Sequence, residues 1–237
     1  MRVESFTSTN GLTRYILVDS SGVPVDVVLR FLRFKDNCGR ARNTLRAYCF
    51  HLKSYFEYLE FIGMSFPQIG MDELAGFIRW LQNNHRQKKI MSFPAATVST
   101  CSAQTINVYL STIYAFYDYL SRHEEYRLRL SDKLTRTIMG SRRGFKDFLY
   151  RTRQYDTRVI RLIEPQKRIK TLKKSEVENL LSACLTTRDR FLIQLLWESG
   201  LRIGEALALW LEDIEPDAHR IHIVDRGDQN GMQSKDR

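Results

Sequence analysis

The chain has 237 residues, 43% of them hydrophobic, and it carries a formal net charge of +10 with an isoelectric point near 9.6. This length and apolar content are sufficient for one large or two modest domains with buried cores. The basic charge favours nucleic acid as a partner, although membrane surfaces and ribosomal association also suit a basic protein. We expect a soluble cytoplasmic protein, because the amino terminus lacks a hydrophobic signal core and no apolar run approaches the ~20 residues that span a bilayer.

The first residues predict a small β-hairpin over positions 1–19. Residues 13–18 form its better strand, and Asn10-Gly11 forms a two-residue turn that tolerates positive φ. We expect this hairpin, residues 1–21 of the chain, to be an arm rather than part of a core.

Apolar residues then recur at three or four positions in four stretches, which predicts amphipathic helices. These begin near Pro24, Thr44, Met71 and Ser102, with Gly39 closing the first helix. Asn43 is a candidate N-cap for the second. Four such helices with polar connections predict an α-helical bundle over residues 22–123.

The composition changes abruptly after this bundle. Residues 121–170 contain fifteen Lys or Arg against six acidic residues. We interpret residues 124–170 as an interdomain linker lying along a phosphate backbone, with Arg142, Arg143 and Lys146 as phosphate contacts. The alternative interpretation is an ordinary solvated surface.

A second domain is expected over residues 171–237. Helices are predicted from Lys174 and over residues 188–199, followed by a strand over residues 220–224 and a loop over residues 225–236. The four cysteines of the chain, two of them within apolar helical patterns, include no Cys-x-x-Cys pair. They predict buried reduced thiols and no metal site at Cys38, Cys49, Cys101 and Cys184.

The junction after residue 199 is the most informative stretch for function. Gly200 suits the left-handed residue that follows a helix, and the apolar residues Ala206, Leu207 and Leu209 give the next segment a buried side. Arg202 therefore lies between two packed elements, where its guanidinium is held in position.

The run Gly-Leu-Arg-Ile-Gly-Glu-Ala-Leu-Ala-Leu at 200–209, with Asp213-Ile214, resembles the first-arginine box of the tyrosine recombinase (phage integrase) family. Residues 43–56 resemble the SAM-like core-binding domain of that family, and residues 172–181 resemble the opening of its catalytic domain. Residues 221–235 are most similar to the transposase-type recombinases of site-specific transposons. The resemblance implies a mostly α fold, in which a SAM-like helical bundle precedes the start of an α+β catalytic domain.

The resemblance also implies a reaction. In this family a tyrosine attacks a DNA phosphate, which gives a 3′-phosphotyrosyl link and a free 5′-hydroxyl, and no cofactor is needed. Arg202 is the expected catalytic arginine, because a planar guanidinium can stabilise the charge that develops on the phosphate oxygens. Glu205 would orient this arginine or cap its helix. Lys235 is the candidate general acid for the leaving oxygen, the alternative being a solvated loop lysine.

The family places its second arginine, its histidines and its nucleophilic tyrosine further along than Arg237. All eleven tyrosines of this chain precede Arg202. We therefore expect this chain to be a fragment or truncated product that does not cleave DNA by itself.

Two groups of residues are candidates for DNA contact, since cations near a helix amino terminus suit phosphate. Ordinary capping and surface charge are the alternative for both groups. The two groups comprise Arg40, Arg42, Asn43, Thr44 and Arg46, and then Lys88, Lys89, Gln104 and Thr105.

Three functions remain open from the sequence. The first is a recombinase or transposase that binds double-stranded DNA and assembles on it with other recombinase subunits as a tetramer. Such a protein would lie in the bacterial nucleoid, and we expect it to bind neither a membrane nor a small-molecule substrate. The second is a non-catalytic DNA-binding protein of the same architecture. The third is a generic basic helical protein that binds RNA or acts as a scaffold.

Overall fold

The computed structural model describes residues 1–8, 11–83, 101–123, 135–139, 154–165 and 170–224. The chain divides into two units, residues 1–165 and 166–237. Within the described ranges, no helix combines the length and the apolar character needed to cross a bilayer.

The amino-terminal hairpin forms as predicted, but its second strand belongs to the core. Strand β1 (Arg2–Thr7) pairs antiparallel with β2 (Thr13–Val18). Five residues separate the strands, so the two-residue turn predicted at Asn10-Gly11 is wrong; Gly11 has φ +73° and Asn10 lies outside the described residues. Leu17 and Val18 are buried, and Leu17 packs in the core of the helical bundle, so the expectation of an arm apart from the core is also wrong.

Four α-helices follow at the predicted positions: α1 (Asp26–Asn37), α2 (Arg42–Ile62), α3 (Met71–Gln82) and α4 (Ala103–Arg122). Their apolar faces bury one another, with aromatic rings such as Phe31, Tyr55 and Phe116 at the centre. Gly39 and Gly63 take positive φ just after α1 and α2, where a side chain would add strain. The predicted helical bundle is therefore present.

Helix α2 begins earlier than predicted and has a different cap. Ala41 occupies the N-cap position, and it makes no side-chain capping bond. Asn43 lies inside the first turn, so the prediction that it caps the helix is wrong. Ser102, in contrast, accepts a hydrogen bond from the backbone N–H of Thr105 and caps α4.

The basic segment after the bundle contains two strands that the sequence did not predict. Strand β3 (Thr135–Met139) pairs antiparallel with β4 (Gln154–Arg158). After β4, Ile160 and Leu162 pack against the helical bundle. Among the residues that the structure describes, the predicted linker therefore contains a β-hairpin and a segment that contacts the helical bundle.

The second unit contains α5 (Lys174–Ala183), α6 (Thr187–Ser199) and the short helix α7 (Ile203–Ala208). A two-residue hairpin follows, formed by β5 (Ile214–Glu215) and β6 (Arg220–Ile221), so the strand predicted over residues 220–224 is shorter than expected. Val177 is the one buried residue of α5, and α6 has none. Apart from Val177, the apolar residues of α5 and α6 are therefore half-buried or exposed in the part of the chain that the structure describes.

The cysteines differ from the expectation of buried thiols. Cys49 is fully buried, and burial raises the pKa of its thiol to about 12. Cys38 is exposed, and Cys101 and Cys184 are half-buried. Cys38 lies just beyond the end of α1, where its side chain leaves the apolar face of that helix.

Candidate functional site

Helices α2 and α4 run parallel, which brings their amino termini to the same end of the bundle. The His51 Nδ1 atom on α2 lies 2.7 Å from the Thr112 Oγ1 atom on α4, and each residue is nine positions after the first residue of its helix. Further along, the hydroxyl oxygens of Tyr55 and Tyr117 lie 2.6 Å apart. Because both helices rise equally per residue, their first turns lie at the same level.

The structure therefore places the two groups that the sequence predicted separately at the same end of the helical bundle, except for Lys88 and Lys89. The exposed members are Arg40, Asn43, Arg46, Gln104 and Thr105, whereas Arg42 and Thr44 are half-buried. These seven residues form what we call the paired-terminus surface. Lys88 and Lys89 lie outside the described residues.

The charge at this surface is unusual for helix amino termini. Neither α2 nor α4 has an acidic residue in its first turn, whereas each of the other five described α-helices has at least one. An acid there normally offsets the positive end of the helix dipole. No acidic residue in the first turn offsets the positive end of the dipole of α2 or of α4, and Arg42 and Arg46 add full positive charges there. Such a surface favours an anionic ligand.

Arg46 has a defined orientation within this surface. Its guanidinium carbon lies 5.8 Å from the centre of the Phe50 ring, one turn further along α2. A cation over an aromatic face gains a modest attraction and loses rotational freedom. On α4, Val108 is 48% exposed one turn beyond Gln104. The surface thus combines cations, amides and small apolar groups, which are the groups that contact phosphates and base edges.

A half-buried histidine holds the two helices in this alignment. Thr112 Oγ1 donates to the Val108 carbonyl at 3.3 Å, so it accepts the Nδ1–H of a neutral His51. The Tyr109 ring lies beside the imidazole, with ring centres 4.3 Å apart. Burial lowers the pKa of His51 to about 4, which keeps it neutral at physiological pH.

In the second unit, Arg202 lies at the junction that the sequence predicted. Gly200 follows α6 with φ +65°, and Arg202 is the N-cap residue of α7. Both oxygens of the Glu205 carboxylate hold this arginine. The Arg202 backbone N–H donates to Oε2 at 2.8 Å, and its Nη1 donates to Oε1 at 2.7 Å. The prediction offered orientation or capping as the role of Glu205, and its contacts provide both.

The two side chains differ sharply in exposure. The Glu205 side chain is 5% exposed, whereas the Arg202 side chain is 70% exposed. A buried carboxylate thus fixes the inner edge of a guanidinium whose remainder faces solvent. This arrangement can present two N–H groups to the oxygens of a phosphate without a large loss of side-chain entropy. Leu207, which the sequence predicted as part of the buried side of α7, is 47% exposed, whereas Ala206 is buried.

The remaining predicted site residues lie outside the described residues. These are Arg142, Arg143 and Lys146 in the basic segment and Lys235 near the end of the chain. Within the described ranges, no group of three or more His, Cys, Asp or Glu side chains is placed to hold a metal ion.

Sequence reasoning missed three residues that shape the site. His51 and Thr112 fix the α2–α4 alignment, but their contact joins positions 61 residues apart, which periodicity cannot pair. Asn107 is buried on the apolar face of α4. A polar residue three positions before Leu110 on an apolar face was a detectable signal, because buried amides require hydrogen-bond partners.

Both units of the chain match families of known proteins. Residues 29–124 match the family described as "Phage integrase, N-terminal SAM-like domain", and residues 170–237 match the "Phage integrase family". Transposase A from transposon Tn554 of Staphylococcus aureus is 36% identical over 216 residues, which are 90% of this chain and 57% of that protein.

Shorter matches are also to tyrosine recombinases. Tyrosine recombinase XerA of Saccharolobus solfataricus is 33% identical over 68 residues, 29% of this chain and 23% of that protein. Tyrosine recombinase XerD of Proteus mirabilis is 31% identical over 104 residues, 40% of this chain and 33% of that protein. The chain spans a little over half the length of the Tn554 transposases that it matches. The predicted resemblance, including that to the transposase-type members, is confirmed, and the chain belongs to the phage integrase family of tyrosine recombinases.

Proposed function

We propose that this chain is the DNA-binding and phosphate-activating portion of a site-specific DNA recombinase of the transposase type. The paired-terminus surface binds duplex DNA, and Arg202 contacts the phosphate at which strands are broken and rejoined. Other recombinase subunits bind the same DNA as a tetramer. We propose a cytoplasmic location on the bacterial nucleoid, in keeping with a relative named as a staphylococcal transposase.

One observation carries the proposal for DNA binding: among the described α-helices, the two without an acid in the first turn are the two whose amino termini lie together. Arg42 and Arg46 add positive charge at this end. Sequence-independent affinity for DNA arises from such cations, because phosphate contacts release condensed counterions. Gln104 and Thr105 are placed to add contacts that depend on sequence, since amides and hydroxyls bond base edges.

The proposed chemistry rests on the Arg202–Glu205 pair. When a tyrosine hydroxyl attacks the phosphorus, negative charge grows on the non-bridging oxygens in the transition state. A guanidinium already held by Glu205 needs no reorganisation to stabilise that charge. The attack forms a 3′-phosphotyrosyl bond and expels the 5′-oxygen, which takes a proton that we assign to Lys235. Attack by a 5′-hydroxyl on the phosphotyrosyl bond reverses the step and rejoins a strand.

We further propose that the basic segment contacts the DNA backbone between the two domains, through Arg142, Arg143 and Lys146. The domains we propose are residues 22–123 for core DNA binding and 171–237 for the start of the catalytic domain, joined by residues 124–170. Residues 1–21 form the amino-terminal hairpin. Because no tyrosine follows Arg202 in these 237 residues, we propose that the chain binds DNA without cleaving it.

The proposal is tested by binding and cleavage measured together. The 237-residue chain should bind a 30-base-pair duplex with an affinity that falls steeply as salt rises, and it should leave a nicked suicide substrate uncleaved. Binding that is absent or insensitive to salt would contradict the proposed DNA contacts. A covalent protein–DNA adduct would show that a tyrosine before Arg202 is the nucleophile and would contradict the proposed division of roles.

A further inference from the structure

The last residues of the first unit are held on α4 by two side chains through backbone hydrogen bonds. The Asn107 amide donates from Nδ2 to the Leu162 carbonyl at 2.9 Å, and its Oδ1 accepts the Leu162 N–H at 2.9 Å. The Tyr114 hydroxyl donates to the Ile160 carbonyl at 3.0 Å and accepts the Ile160 N–H at 3.2 Å. Each side chain thus satisfies both polar groups of one residue, as a neighbouring β-strand would.

The side chains of this segment alternate in the way that a strand requires. Ile160 and Leu162 pack against the core of the bundle, whereas Arg161 and Ile163 are exposed, Ile163 at 94%. A shift of one residue would bury Arg161 and expose Leu162. Asn107 adds a further restraint, because its Nδ2 also donates to Glu164 Oε1 at 2.7 Å. The segment therefore has one favourable register on α4.

A buried polar side chain makes this register specific. Asn107 is 7% exposed, and most of the other buried residues of α4 are apolar. If residues 160–164 left the helix, the amide would lose the three contacts described above, and a buried amide without partners is costly. Leucine would fill the same position without favouring any register.

The direction of the segment has a consequence for DNA binding. Ile160 contacts Tyr114, and Leu162 contacts Asn107, which lies seven residues closer to the start of α4. The chain therefore runs towards the amino terminus of α4 and leaves the first unit, after Pro165, at the end that carries the paired-terminus surface.

We propose that Asn107 and Tyr114 form an anchor that fixes the exit of the chain at the DNA-binding end of the bundle. They are positioning residues, which touch residues 160–164 and not the DNA. With the anchor in place, about ten residues connect Glu164 to α5; without it, about fifty residues connect α4 to α5. Because the effective concentration of a tethered domain falls as roughly the −3/2 power of the length of a flexible connection, and the β3–β4 hairpin shortens this one, release should weaken two-domain binding by up to about tenfold. This functional part rests on the proposed DNA binding.

The anchor is tested with Tyr114→Phe and Asn107→Leu in the whole chain, and Tyr117→Phe is the matched control. Tyr117 lies on the same helix and its hydroxyl is also buried, but it donates to the Phe66 carbonyl at 2.8 Å. Hydrogen exchange of the Ile160 and Leu162 amides should accelerate at least tenfold in the anchor variants and remain unchanged in the control. Unchanged exchange in the anchor variants would overturn the anchor.

Affinity for a 30-base-pair duplex tests the positioning role in the same three proteins. We expect a loss of up to about tenfold in Asn107→Leu relative to Tyr117→Phe, at a temperature where all three are folded. Faster exchange with unchanged DNA affinity would overturn the positioning role. Wild-type protein that binds no DNA would refute the proposed function and with it the positioning role, whereas hydrogen exchange would still decide whether the anchor exists.

Discussion

The His51 imidazole donates its Nδ1–H to the Thr112 hydroxyl, 2.7 Å away, and this bond sets α2 and α4 at equal height in the bundle. The alignment is what joins two sequence-distant groups into the paired-terminus surface. It also makes the surface dependent on a histidine that must stay neutral, since a protonated imidazole would be buried beside Tyr109.

This dependence predicts a loss of stability in acid. The folded-state pKa of His51 is lowered to about 4 from an ordinary value of 6.5, so between these pH values the unfolded chain binds more protons than the folded one. Stability therefore falls as pH drops through this window, by about 1 kcal/mol at pH 5 after allowance for the partial exposure of the ring. Urea midpoints at pH 7 and pH 5 measure it. The drop in urea midpoint from pH 7 to pH 5 should be smaller in His51→Gln than in His219→Gln, a control at an exposed histidine. Equal drops in the two variants would contradict the assignment.

Arg46 should contribute to DNA affinity at both low and moderate salt. Replacing it by Ala removes one phosphate contact, which should lower affinity roughly five- to tenfold and reduce the slope of log affinity against log salt by about 1. Fluorescence anisotropy with a labelled duplex measures both quantities. Arg122→Ala is the matched control, because Arg122 is an exposed arginine at the opposite end of α4. Equal losses in the two variants would show that general charge, and not the paired-terminus surface, drives binding.

The basic segment should act on all sequences alike. Replacing Arg142, Arg143 and Lys146 together by Ala should weaken binding to unrelated duplexes by the same factor and lower the salt slope by about 3. Competition between two duplexes of different sequence checks that their relative affinity stays constant. An unchanged affinity and slope would remove the segment from the DNA interface.

The role of Arg202 can be measured in a chimera that places the carboxyl-terminal residues of Transposase A from Tn554 after residue 237. In a chimera that forms covalent adducts with a nicked suicide substrate, Arg202→Ala should reduce their rate by about 100-fold or more, since a preorganised donor to the transition state is lost. Glu205→Ala should reduce it by roughly tenfold, because the guanidinium remains but is no longer held. Arg188→Ala, an exposed arginine of α6, serves as the control. DNA affinity should change little in all three, and retention of cleavage in Arg202→Ala would refute the assignment.

Much of this structure could be predicted from residues that lie close together in the sequence. The apolar spacing of Leu45, Leu52 and Leu59 identifies α2, and Gly200 marks the end of α6 because a residue without a side chain accepts positive φ there. The Arg202 junction follows from the same reasoning. These features depend on residues within a few positions of one another.

Features that join distant residues were not predictable. The Asn107 amide bonds to Leu162, 55 residues further along the chain, and no residue near Asn107 in the sequence indicates that partner. Asn43 favours an N-cap by type, but the helix begins two residues earlier than predicted, at Arg42 after the N-cap Ala41, so position overrides propensity. Phe191 belongs to the apolar pattern that predicts α6, yet its ring is 57% exposed, since periodicity identifies an apolar face without showing what covers it.

The central claim is that the paired-terminus surface lies on duplex DNA, and photocrosslinking tests it most directly. p-Benzoylphenylalanine is placed at Gln104 in one protein and at Arg122, the other end of α4, in a second. After irradiation with a labelled 30-base-pair duplex at low salt, we predict a protein–DNA crosslink from position 104 and none from position 122. A crosslink from position 122 with none from position 104 would contradict the account.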